Sequence, residues 1–481
     1  MREMRISTDC DGAFRLPARY ALTQLFLVLG VRVRFVRDGA EVHYGSTPVD
    51  GAFWLPADPT AQAALLEKQA AVLRPQDAEA WGRPFLSLFP VAVEYPCPSD
   101  LVAAAFFFFS LHEEWTSEER DQFDRFTSAA SLLGARGEQA RPVLAEFAAV
   151  VRAGLASQGI ALPDDARYGD RRAAAVMTHD IDYLSKFTPG LIFREVIKNF
   201  LFNRRHVSAG DRAQRLREYL AYWKRERDPY VRSVVNMLET ERERDIEATW
   251  LFKAGGTDKR DVTYSLESTR ARWLLDTLRE SGHDIGLHPS FHAHRDRAML
   301  EREKTRLQRA AGIDLQSVRQ HYLRFRYPET LRNQSDAGFT VDSTLGFAEQ
   351  EGWRNGSAHP FLPFDLERKE VLPIWELPLL VMDGTLAQYR GLAPGEALGR
   401  IAELLDIAAG VSGTAVLLFH NTSFDAHDFP GWGGVFEETS SILSDGRFLT
   451  RGMPETVEAW TASAGYASTG EVMKVINSEP V

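Results

Sequence analysis

Cysteine is nearly absent from this chain: Cys10 and Cys97 are the only two in 481 residues. Two thiols give no disulfide framework and no thiolate zinc site. Long apolar runs are missing as well. The longest, VAAAFFFFSL at 102–111, stops at His112-Glu113-Glu114 and is half of the ~20 residues that span a bilayer. The opening MREMRISTDC has no apolar signal core, so the expected location is cytoplasmic. A basic excess is lacking too: 56 Lys and Arg stand against 67 Asp and Glu, a formal charge of −11. That argues against a nucleic-acid partner, whose phosphates demand a basic surface. No repeat and no low-complexity tract interrupts the chain. What remains, 44% hydrophobic and 26% charged residues, is an ordinary globular composition at a length that exceeds one core.

Two parts of the chain read differently. Up to about residue 165, short apolar segments alternate with turn signals. VRVRFVRDG (31–39) alternates apolar and basic residues and ends in Asp-Gly, which predicts a strand entering a hairpin turn. VAAAFFFFSLHEEW and 142–159 have helical character, and the phenylalanines read as core. The turn-rich 160–170 marks a boundary, giving 1–168 as an N-terminal α+β accessory domain and 169–481 as a second domain. In the second, seven strand-like segments alternate with helical ones: 172–182, 248–254, 283–290, 317–325, 339–346, 375–384 and 414–422. Helical patterns between them include 231–245, 267–281 and 394–410. This rhythm predicts an α/β fold, a distorted (β/α)7-type barrel on a parallel sheet. One stretch stands apart: 186–227 carries 11 Lys and Arg against 4 Asp and Glu. It reads as a helix packed on the barrel with a solvated basic face, or as a peripheral membrane contact.

Chemistry-bearing residues fall at the ends of these strands: Asp180, Asp182, His288, Arg324, Asp342, Asp383 and His420. In a barrel the C-terminal strand ends carry the reaction. Two carboxylates one residue apart repel unless a cation or proton lies between them. Asp182 is the expected ligand and Asp180 the free base. In His288-Pro289-Ser290-Phe291-His292 a helical turn places both imidazoles on one side. Asp182, His288 and His292 thus form a candidate triad for a divalent metal, with Zn2+ the first choice; three protein ligands and an open position describe a catalytic ion. His420, after Val-Leu-Leu-Phe, suits a general acid at neutral pH.

The ordered motifs MTHDIDYL, DIGLHPSF, RQHYLRF, DSTLGFAEQEGWRNG and FHNTSF resemble those of the polysaccharide deacetylases (NodB homology, carbohydrate esterase family 4) over roughly 172–425. FFFFSLHEEW…DQFDRF resembles the leading domain of a bacterial subgroup with an extra N-terminal domain. The resemblance implies hydrolysis of an N-acetyl group on a sugar or glycan precursor. Asp180 would be the base, Asp182, His288 and His292 the metal triad, and His420 the acid. It also implies an arginine that tethers the base; Arg324 is taken for it, with Arg319 and His321 as rivals on the same strand. Asp342, Asp383 and Arg354 would contact substrate. The pattern departs from the family in the Ile181 that splits the two aspartates, in His179, which could itself ligate, and in the Pro-Ser after His288. A glycan-binding protein with altered catalysis, or a metal-dependent deformylase or amidase on a non-polymer substrate, are the alternatives.

Overall fold

The computed structural model describes residues 2–10, 12–163, 167–186, 228–261, 264–426 and 428–479. Nearly all of the basic 186–227 stretch lies outside the described residues. Among those described, no helix is long and apolar enough to cross a membrane.

The N-terminal residues build a four-stranded parallel sheet from β1 (Glu3–Thr8), β2 (Arg32–Phe35), β3 (Val42–Gly45) and β4 (Phe53–Pro56), in the order β2-β1-β3-β4. The expected hairpin after Arg32–Phe35 does not form. The helix Arg15–Val28 carries the chain from β1 to a parallel β2, and the turn at Asp38-Gly39, with Gly39 at φ +66°, sends it past β1 to the far side. A hairpin does follow, between β5 (Gln76–Ala80) and β6 (Arg83–Ser87). The Phe106–Phe109 run is core: the helix Leu101–Phe109 is buried throughout, and Asp100 caps its N-terminus by accepting from Ala103 N.

The remainder is a nine-stranded parallel sheet. It uses β7 (Ala173–Ile181), β8 (Thr249–Phe252), β9 (Asp284–Leu287), β10 (Ser317–Val318) and β11 (Val341–Asp342). After the small hairpin β12 (Phe364–Asp365) and β13 (Glu370–Val371) come β14 (Trp375–Glu376), β15 (Leu379–Met382), β16 (Thr414–Leu418) and β17 (Phe448–Leu449). The order is β14-β11-β10-β9-β8-β7-β16-β15, with β17 beside β7. Its two edge strands, β14 and β15, are joined by Leu377-Pro378 alone. One continuous stave therefore borders both edges, and the sheet must curl into a barrel. Leu377 N donates to the Asp342 carbonyl on one side, while β15 pairs with β16 on the other. The proline, which has no N–H to give, sits at the seam between them.

Eight of the nine strands fall within the seven segments read from the sequence, β17 being the exception, and the fold is α/β of the barrel type. Helices between them follow their start signals. Asp228 caps the helix Pro229–Glu243, which begins on proline; Ser268 caps Thr269–Glu280; and Ala393 N donates to Glu396 at the head of Pro394–Gly410. The end of the chain returns to the first sheet. Arg32 donates to the Gly465 carbonyl at 2.9 Å, Tyr466 Oη accepts from Val33 N at 3.1 Å, and Arg19 donates to the Ser478 carbonyl at 2.7 Å.

Candidate metal centre and active site

Strand alternation decides which residues of β7 can act. Thr178 and Asp180 point into the barrel, where Arg319 Nη1 donates to both, at 2.7 and 3.2 Å. His179 points outward. Its ring nitrogens meet the Phe419 carbonyl at 2.8 Å and the Glu241 carboxylate of the helix Pro229–Glu243 at 2.6 Å, so it is fully engaged away from the centre. Ile181 is therefore a spacer between two inward carboxylates, not an interruption.

Three ligand-type side chains converge at the barrel mouth: Asp182 after β7, His288 after β9 and His321 after β10, with donor atoms all within 4.8 Å of one another. Asp182 Oδ1 lies 3.4 Å from His321 Nε2 and 3.7 Å from His288 Nε2. It is buried and accepts no hydrogen bond. A buried carboxylate oxygen without a donor is costly, and a cation in the space it shares with the two imidazoles would remove that cost. Burial alone would raise the Asp182 pKa, but His321, Lys253, His288 and His420 outweigh it and hold the group well below the usual carboxylate range.

Both imidazoles are oriented for ligation. His288 Nδ1 donates to the Arg319 carbonyl at 2.7 Å, which leaves Nε2 with its lone pair toward Asp182. Burial pushes His288 down to about 4, against the pull of Asp180, so the ring is neutral. His321 turns Nδ1 to the Asp261 carboxylate at 3.2 Å, the outer-sphere arrangement typical of ligating histidines. Asp261 also accepts from Phe291 N at 2.9 Å and lies 3.3 Å from Lys253 Nζ. Burial would raise its carboxyl, yet His321 and Lys253 bring it down to about 2. The donor set, one carboxylate and two imidazoles, fits a Zn2+-like ion.

His292 does not join this cluster. Beyond Ser290, the chain enters a 3-10 turn at Ala293–Arg295 instead of an α-helix, and His292 faces outward, its side chain 55% exposed, beside Asp258 at 3.2 Å. His321, three residues past the end of β10 and a rival for the tether in the sequence, stands in the cluster instead. Arg319 takes the tether from Arg324. It is fully buried, bonded to Asp180 and Thr178, and donates to Ser343 through Nε at 2.8 Å and Nη2 at 3.0 Å. Arg324 instead donates to the Phe123 and Phe291 carbonyls.

The other expected residues sort by their partners. His420, after β16, hydrogen-bonds through Nδ1 to Asp383 Oδ1 at 2.7 Å, and its backbone N donates to Asp383 Oδ2 at 2.7 Å. Burial would lower the His420 pKa, but Asp383 outweighs it and raises it to about 9. Asp383 is thus placed against His420 and is buried, not directed at a substrate. Asp342 is buried too, accepting from Gln334 at 3.1 Å and Thr344 at 2.6 Å; burial raises its carboxyl and that of the neighbouring Glu376. Arg354 is buried against Glu114 at 2.6 Å and the Gly346 carbonyl at 3.1 Å, where it joins the N-terminal residues to the barrel. Neither of these two is available at the mouth. Lys253, after β8, was not anticipated; its Nζ stands 3.8 Å from Asp182 and 3.0 Å from His321 Nδ1.

A family of unknown function (DUF7033) matches residues 14–159. No curated protein matches the chain. Among solved structures, the chain is similar to a provisionally named polysaccharide deacetylase from Mycobacterium smegmatis, at 18% identity and a TM-score of 0.42 over 62% of this chain and 93% of that one. It is similar to the allantoinase PuuE at 13% identity and 0.41, with the same coverages. A carbohydrate esterase family 4 pseudoenzyme from Bacillus anthracis matches at 9% identity and 0.33, over 60% of this chain and 66% of that one.

Proposed function

We propose that this protein is a metal-dependent hydrolase that removes an N-acetyl group from a sugar or glycan precursor. Residues 1–168 and 169–481 are taken as its two units. The observation that carries the reading is the convergence of Asp182, His288 and His321 around an oxygen that has no hydrogen-bond donor. These three residues would hold the metal, with Zn2+ favoured by two imidazoles and one carboxylate. When bound, such an ion polarises an acyl oxygen and lowers the pKa of a coordinated water from ~15.7 to ~7.

The protein's own groups supply the rest. Asp180, 3.7 Å from His288 and held by Arg319, accepts the proton of the attacking water. Arg319 fixes the carboxylate in place. His420, protonated at neutral pH under the influence of Asp383, gives a proton to the departing amine nitrogen, without which an amine is a poor leaving group. The sugar identity of the amide rests on the resemblance of the ordered motifs to the polysaccharide deacetylases.

Loading the full chain with Zn2+ and measuring acetate release from N-acetylglucosamine oligosaccharides tests the proposal. Turnover lost on chelation and restored by metal supports it. Stoichiometric metal binding with no acetate release would overturn hydrolysis and favour the glycan-binding alternative; formate release from an N-formyl amide would favour the deformylase. Expected partners are an N-acetylated carbohydrate and no nucleic acid.

A further inference from the structure

Among the described residues, five large apolar side chains are markedly exposed, and two of them, Tyr322 at 37% and Tyr389 at 49%, are tied to one arginine, Arg125. The Tyr322 ring centroid lies 4.6 Å from that of His321, next to the candidate ligands. Its backbone is left-handed, at φ +62° and ψ 14°, and Leu323 follows at φ +53°. Consecutive non-glycine residues in that region are disfavoured, and such strain persists only when the surroundings enforce it. Tyr389 closes a π-helical turn, Thr385–Tyr389, a rare element often found where function requires it.

The enforcement comes from the other end of the sequence. Phe123 packs against Tyr322 with ring centroids 5.2 Å apart, while Phe291 meets it edge-on at 5.6 Å. Arg125, locked to Asp121 at 2.6 Å, donates to the Tyr322 carbonyl at 3.2 Å and the Tyr389 hydroxyl at 3.3 Å. The barrel grips back: Arg324 Nε donates to the Phe123 carbonyl at 2.8 Å, and Arg326 to Asp124 at 2.8 Å. The loop 121–126 and the segment 322–326 are therefore clasped at four points, and the clasp holds the partly exposed Tyr322 next to His321 and ties Tyr389 to the same arginine.

We propose that loop 121–126 is part of the substrate site: Phe123 and Arg125 position Tyr322 and Tyr389 as a platform on which a pyranose ring stacks. The N-terminal region then decides which sugar is presented to the centre. A pyranose offers an apolar C–H face that an aromatic ring covers, while Arg260, 4.3 Å from the Phe291 ring and partly exposed, leaves a polar group at the rim for its hydroxyls. This inference rests on the sugar reading above. Tyr322 touches the sugar; Phe123 and Arg125 are positioning residues.

The test uses the Zn2+-loaded full chain with N-acetylglucosamine tetrasaccharide. Acetate-release kinetics are followed in variants of the two rings, and calorimetric binding is measured in an Asp180→Asn background. Tyr322→Ala should raise KM and weaken binding about tenfold with kcat and metal content little changed, whereas Tyr322→Phe stays near the parent. Phe123→Ala should move KM in the same direction, with Phe123→Tyr restoring it; retained metal content shows that the variants fold, and Phe123→Leu serves if Phe123→Ala does not. Acetate release with KM indifferent to both rings would overturn the platform and leave the hydrolase standing. Ring-dependent binding without acetate release would do the reverse. No binding of the sugar at all would remove both.

Discussion

Two parallel sheets in this molecule bury carboxylates near their C-terminal edges, and they treat them in opposite ways. Beside β3, Asp100 accepts from Ala103 N and Asp58 N, both at 2.8 Å, and from Tyr44 Oη at 3.0 Å, while Gln62 donates to that same hydroxyl at 2.8 Å. That network is closed by the chain itself. In the barrel, Asp182 Oδ1 is equally hidden but has no donor, and its neighbours stand at 3.4 to 3.8 Å, too far for hydrogen bonds. Burial of a carboxylate is thus not the mark of a site. An unpaired carboxylate oxygen that shares its space with two imidazoles is, and among the described residues Asp182 is the group of that kind.

The largest effect that could break this contrast is on metal content. Asp182→Ala or His321→Ala should reduce bound Zn2+ to background and abolish acetate release, while Asp100→Asn and His292→Ala leave both near the parent level. Elemental analysis of the purified variants decides it; metal retained without His321 but lost without His292 would reverse the assignment. Next in size, His420→Ala should lower kcat by about 10²–10⁴-fold with little change in metal. Asp383→Asn should lower the His420 pKa and move the alkaline limb of kcat to lower pH, seen in a pH–rate profile.

Third, Arg319→Met leaves Asp180 buried without its cation. Removing one member of a buried pair costs about 3–5 kcal/mol, and a denaturant titration should show a loss of that order. The smallest effect sharpens the closed side of the contrast. Burial raises Asp100 to about 7 despite its donors, well above the ordinary carboxylate value of ~3.9 for an unfolded chain. The native state therefore holds its proton more tightly. The stability this brings is complete below about pH 4, is lost as pH rises toward 7, and changes no further above that. Asp100→Asn should accordingly gain melting temperature relative to the parent between pH 4 and 7 and then run parallel to it.

The barrel was legible because each stave carries its own local signal, an apolar run of strand length with a polar residue at its end, and most are followed by a helix. Asp180, Asp182, His288 and His420 are read that way, as residues at or just past strand ends. The errors came where local pattern had to stand in for loop geometry. His-x-x-x-His suggested a helical turn after His288, but the chain takes a 3-10 turn and swings His292 to solvent. His321 reaches the centre through a left-handed bend at Tyr322 that glycine-free sequence does not announce. Its signal was position alone, just past a strand end. Arg319 and Arg324 are equally basic and five apart; which one meets Asp180 depends on the inward face of β10, set by pairing with β9 and β11. The N-terminal hairpin failed for a similar reason, since Asp-Gly turns the chain without specifying its next neighbour.

The order of the staves has a consequence for how the protein is made. β7, which carries both aspartates, lies between β8 and β16, and β16 ends at Leu418. A ribosome must therefore deliver every strand from β8 to β15 before the strand bearing the first catalytic candidates gains β16 as its second neighbour. Until then the nascent barrel is an open trough, and its reactive rim stays incomplete until β16 has emerged.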